Sequence, residues 1–172
     1  IFKREEFSHR GKISGRAVIG GSIKHPSFST PEPITVTELN IGGLDKMSGT
    51  CSVAGSFDEL NFTGAHISRR GMPIFEGEGR WRDGSPFIVK AQGNGVELGA
   101  VGDIISSTRL TDGDVTYEAD LSFTRKNGTI TGKFSVVDGH FMDVPFDTAK
   151  GTIGGGSSGF KVTGFTVEKR GV

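Results

Sequence analysis

Four histidines, His9, His25, His66 and His140, are the obvious chemical groups in this chain of 172 residues. None stands in a His-x-His or His-Glu-x-x-His spacing, so no metal ligand set is assigned. The densest polar cluster is Asp138-Gly139-His140-Phe141-Met142-Asp143, followed by Asp147. On one loop, Asp138, His140 and Asp143 would suit a divalent cation or an acid–base pair. A polar turn closing a strand uses the same residues for geometry alone. His66 shares strand parity with Leu60 and Phe62, which points its imidazole inward, where it can titrate near neutral pH or orient a ligand. Tyr117 is the only tyrosine beside 13 phenylalanines and sits on an apolar strand face. Its hydroxyl needs a partner there, either a backbone carbonyl or a ligand. The candidate catalytic groups are therefore His66, Tyr117, Asp138 and His140. With no Ser-His-Asp-type motif and no paired carboxylates, they would support a metal-free, cofactor-free isomerase or cyclase.

A second set of residues suits binding. Phe57, Trp81, Tyr117, Phe123 and Phe134 all fall on apolar strand faces and would line the interior of a small barrel around an apolar or aromatic molecule. Gly79-Arg80-Trp81 resembles the Gly-x-Trp near the first strand of lipocalins, but it stands mid-chain and three residues assign no family. Arg69, Arg70, Arg80, Arg82 and Asp83 surround Trp81. Alternation places Arg80 and Arg82 with Glu76 and Glu78, the pattern of a solvated, internally paired face.

Strands must position these groups. From Val115 the odd positions read Val, Tyr, Ala, Leu, Phe, and the even ones Thr, Glu, Asp, Ser, Thr. Ile130, Gly132, Phe134 and Val136 repeat the alternation after Arg125-Lys126-Asn127-Gly128, whose Asn-Gly suits a type I′ turn, so residues 115–136 read as a hairpin. Met47 to Phe57 and Phe75 to Arg82 alternate in the same way. Further strand candidates are 12–23, 33–41, 60–68, 86–92, 98–109 and 159–169. Asp83-Gly84, Asp112-Gly113 and Asp138-Gly139 read as turns. Pro26 to Pro33 reads as a loop, because proline lacks an amide donor. Gly151 to Gly159 reads as a second, flexible one. The whole predicts one all-β domain over residues 1–172: a Gly-rich antiparallel β-barrel of calycin-like build, or a β-sandwich, of about eight to ten strands. Glycines on its apolar faces would mark sharp bends, or close approach of a ligand or subunit.

Composition narrows the class further. With 20 Lys+Arg against 20 Asp+Glu the net charge is zero, which gives no pull on a nucleic acid. The 28 glycines exclude a helical bundle and follow no collagen period. No apolar run is long enough for a membrane helix. Cys51 is alone, so no disulfide is expected within the chain, which fits a soluble cytoplasmic protein or a secreted one equally. Three functions remain open: non-covalent binding of a small apolar molecule in a barrel, the cofactor-free enzyme, and a structural β module that self-assembles into a homo-oligomer.

Overall fold

The computed structural model describes residues 10–41, 44–98, 110–124, 127–141, 144–156 and 159–169. They form strands β1 (Arg10–Ser14), β2 (Val18–Gly21), β3 (Pro26–Ser29), β4 (Ile34–Ile41), β5 (Leu44–Ser56), β6 (Glu59–Arg69), β7 (Met72–Arg82), β8 (Phe87–Glu97), β9 (Leu110–Thr111), β10 (Asp114–Phe123), β11 (Gly128–Phe141), β12 (Val144–Gly156) and β13 (Gly159–Glu168). The all-β expectation holds. The described strands number thirteen, rather than eight to ten, and belong to one sheet. Its hydrogen-bonded order is β1-β4-β5-β6-β7-β8-β10-β11-β12-β13, with the β2–β3 hairpin joined to β5 and β9 joined to β11. Where a barrel or a sandwich was expected, β1 and β13 stand at opposite ends of this path and the sheet is not closed.

The hairpin read from residues 115–136 is present as β10 and β11, with Tyr117 opposite Phe134 and Leu121 opposite Ile130. Its connection differs from a type I′ Asn-Gly turn. Gly128 already pairs with Phe123, and Thr124 N–H donates to the Asn127 carbonyl at 2.7 Å, so Gly128 belongs to β11 and not to the turn. Two further stretches read as loops are strand in part, with β3 taking Pro26–Ser29 and leaving residues 30–33 outside any strand, and β12 taking residues 151–156. Pro26 opens β3 opposite Gly21, the strand-end position at which a missing N–H costs least. Gly154 to Gly156 continue β12 and pair with β11 on one side and β13 on the other. Asp138-Gly139 lies inside β11 rather than between strands. Asp138 takes φ 52° where the partner of β11 changes from β10 to β9. The strand candidate 98–109 falls outside the described residues except for Leu98, which is buried.

Register sorts the side chains into two faces. One row reads Ala65, Gly77, Ala91, Ala119, Gly132, Ile153 and Val162 from β6 to β13. The neighbouring row on the other face reads His66, Glu76, Gln92, Glu118, Lys133, Thr152 and Thr163. The compact part of the apolar face is a cluster of Val96, Leu98, Val115, Val136 and Ala149, with Ile74, Tyr117, Phe134 and Phe146 packed on it.

The glycines explain how a single sheet covers its own backbone. Phe62 is opposite Gly79, Tyr117 opposite Gly93, Phe123 opposite Gly128, Phe134 opposite Gly151 and Phe146 opposite Gly139. At Gly79, Gly93 and Gly139 the ring occupies the space a Cβ would need, and at Gly128 and Gly151 it would stand tight against one. Rings laid across glycines shield the backbone in the manner of aromatic rescue. Rings thus account for these five glycines, whereas at Gly49, Gly55, Gly77 and Gly132, on the same face, a Cβ would meet a backbone carbonyl of the neighbouring strand, so close approach of backbone accounts for those.

Candidate functional site

The polar face holds an open trough of about 920 Å³ running over β6 to β12. Its walls carry His66, Glu76, Glu78, Lys90, Glu118, Asp120 and Lys133 over a floor of Ala and Gly. His66 Nδ1 lies 3.3 Å from Glu76 Oε1, and Gln92 Nε2 donates to Glu76 Oε2 at 3.2 Å. Both signs of charge meet across the strands: Glu78 is opposite Lys90, which is opposite Asp120. Such alternation is what a solvated sheet face requires, because like charges directly opposite would repel. Beyond the trough, Arg82 Nη2 reaches Glu59 Oε2 at 3.2 Å rather than Glu78. The Asn61 amide, then Arg82, hold the Glu59 carboxyl below its ordinary range.

The parity that pointed His66 inward is broken by a bulge. Gly64 takes φ +57°, and between Phe62↔Gly79 and Ala65↔Gly77 the strand β6 carries one extra residue. A single inserted residue exchanges the faces of everything beyond it. Phe62 therefore stays on the apolar face, Ala65 and Ile67 join it, and His66 turns to the trough.

The other catalytic candidates are not gathered around His66. Tyr117 belongs to the opposite face, where its hydroxyl donates to the Ile74 carbonyl at 2.7 Å. Ile74 is the extra residue of an irregularity in β7 between Ile67↔Phe75 and Ser68↔Pro73, so Tyr117 satisfies a carbonyl left outside that pairing. The partner is thus backbone. Asp138 and His140 lie near the far end of β11, with His140 Nδ1 3.8 Å from Asp112 Oδ2, too long for a hydrogen bond. Asp143 lies outside the described residues. Among the described residues no group of His, Cys, Asp and Glu is arranged to hold a metal. Burial raises the Cys51 thiol pKa, which disfavours its thiolate.

Burial also raises the Tyr117 phenol above its ordinary value. The neutral form is thus favoured by folding. Its contribution to stability is complete below about pH 10 and falls as pH rises through the folded value. Tyr117 is the only tyrosine, so phenolate absorbance reports it alone. We expect a titration above the free-phenol value and a loss of stability at alkaline pH that Tyr117→Phe removes. At neutral pH that variant should cost about 1 kcal/mol, because the Ile74 carbonyl loses its donor. A phenol titrating as in a free peptide would contradict the burial.

The residues proposed to line an apolar cavity divide into three places. Phe57 is 81% exposed on the β5–β6 turn. Trp81, opposite Leu60, and Phe123 share one end of the apolar face with Phe62 and Phe87. Phe62, Phe87 and Phe123 form a tilted row with ring centroids 5.8 and 6.4 Å apart. Tyr117 and Phe134 pack on the apolar cluster, and Phe134 meets Phe165 of β13 at 6.4 Å. Comparison with known protein families, curated proteins and solved structures finds no match to this chain. No helix among the described residues is long and apolar enough to cross a membrane.

Proposed function

We propose that this chain is a non-catalytic binding and assembly module, and that the apolar face of the sheet is its working surface. The observation that carries this reading is the uncovered apolar side of β13. Phe160, Val162, Phe165 and Val167 are 64%, 47%, 57% and 50% exposed. They extend a face that also exposes Phe123 at 43%. A continuous apolar surface in water is costly to leave open, and a contiguous patch of this kind marks an interaction site. The trough has both charge signs interleaved across strands and no aromatic side chain in its lining, which suits solvation better than an apolar ligand.

The unique Trp81 makes the reading testable. An anilinonaphthalene dye added to the folded chain should bind the apolar face and accept excitation energy from Trp81. Phe123→Ser should reduce that transfer, while Phe57→Ser, on the exposed turn, should leave it unchanged. A folded chain that produces no dye enhancement would mean the apolar face is already covered, and the reading fails.

A further inference from the structure

We propose that the outer edge of β13 pairs antiparallel with the same strand of a second copy, about a two-fold axis between Gly164 and Phe165, so that the apolar faces of the two sheets run on as one surface. This rests on the binding and assembly reading and names the partner in assembly. β13 is the terminal strand of the described sheet, pairs only with β12 and is exposed at all ten positions. It contains no proline, and its outer edge offers a row of backbone donors and acceptors to a further strand.

One register of self-pairing matches residues 161–168 in charge and in face, and leaves Phe160 beyond the matched pairs. Residue i then faces residue j of the second copy when their numbers sum to that of the 164–165 pair. Lys161 meets Glu168, so opposite charges are apposed twice, once on each side of the axis. Val162 meets Val167, and Thr163 meets Thr166. Faces match as well as residues. Val162 and Val167 lie in the apolar rows with Ile153 and Ala149, while Thr163 and Thr166 lie with Thr152 and Lys150.

At the axis, Gly164 meets Phe165. Five cross-strand pairs within the sheet already set a ring against a glycine. Nothing lies within 4 Å of a Cβ built on Gly164, which takes φ +59° in the bulge opposite Gly151. The second copy's Phe165 would supply the same kind of pair. A contact that is the same patch on both chains closes at two copies and does not propagate.

The test mixes Val162→Cys chains with Val167→Cys chains, both carrying Cys51→Ser, under mild oxidation. A disulfide-linked dimer should form in the mixture and not from either chain alone. Pairing Val162→Cys with Thr166→Cys, which lies on the other face, should give none. In sedimentation, Lys161→Glu should weaken dimerisation about tenfold, since two symmetry-related cross-strand pairs change sign. Adding Glu168→Lys to that variant should restore it. A dimer without the 162–167 link overturns this register, a monomer at high concentration overturns self-pairing, and species that grow without limit show β13 meeting β1 instead. Dye transfer from Trp81, on the distant β7, is read in the same samples. A monomer that retains it defeats the second copy alone, whereas its absence defeats the binding-module reading.

Discussion

Replacing Gly93 by alanine will cost about 3 kcal/mol, far more than a methyl group on a sheet surface should. A Cβ at Gly93 would collide with the ring of Tyr117 and with Val96 Cγ2. The ring is pinned, because its hydroxyl bonds the Ile74 carbonyl at 2.7 Å while its body packs on Val96, Val115 and Val136. The chain must therefore overpack this part of the core, at about 1–3 kcal/mol, and in shifting the ring lose the Tyr117 hydrogen bond, at about 1 kcal/mol more. For a domain of this size the melting temperature should fall by about 6–12 °C. Gly154→Ala is the matched control, since a Cβ there meets nothing within 4 Å, and a surface change of that kind stays within about 0.5 kcal/mol. The pair should also be strongly non-additive. In a Tyr117→Ala background only the Val96 contact remains, with room to relax, so Gly93→Ala should cost much less than in the parent chain. Equal losses for Gly93→Ala and Gly154→Ala would remove the case that a ring accounts for Gly93 and for the other glycines set opposite aromatic side chains.

The alternation in residues 115–136 was legible because nothing interrupts it: each partner in the β10–β11 register is where a straight count puts it. Elsewhere the pattern was legible and its phase was not. Gly64 and Gly95, at φ +57° and +64°, each sit at an irregularity in the ladder, and among 28 glycines nothing in the sequence separates a bulge from a ring's neighbour. His66 was consequently placed on the wrong face while Tyr117, beyond no bulge in its own strand, was placed on the right one. The trough shows the same limit. Glu118 and Asp120 were read correctly as a solvated side of β10, and Glu76 and Glu78 as one of β7. What brings them together is the order of strands and the cross-strand register, long-range properties that periodicity within a strand does not contain. Pro26 was read by its missing donor, and a loop followed from that. Its place at the first residue of β3, opposite Gly21, makes the missing donor tolerable.

Deleting Gly64 should be tolerated, whereas inserting one residue beside it should not, and the contrast measures what the bulge is for. Gly64 is the extra residue between Phe62↔Gly79 and Ala65↔Gly77. Without it, Phe62, Thr63 and Ala65 oppose Gly79, Glu78 and Gly77 in unbroken alternation, so Ala65 and Ile67 stay on the apolar face and His66 stays opposite Glu76. The deletion should therefore cost no more than Gly64→Ala, which asks alanine to take φ +57° at about 1–2 kcal/mol with no clash, since nothing lies within 4 Å of the new Cβ. A residue inserted after Gly64 finds no such regular ladder. If the bulge still holds one extra residue, either His66 and Ser68 enter the apolar face as Ala65 and Ile67 leave it, or Leu60 and Phe62 turn to water and the rings of Phe62 and Phe87, now 5.8 Å apart, separate. Either outcome exposes apolar side chains worth about 1.5–3 kcal/mol each when buried, so the insertion should cost about 4 kcal/mol or more. Urea denaturation of the three variants beside the parent chain decides the matter. An insertion no worse than the deletion would mean the strand absorbs the slip and the count of residues in the bulge does not set which face each residue joins. A gap of several kcal/mol would show that this count keeps the apolar face continuous from Phe62 to Ile67 and delivers His66 to Glu76 across the trough.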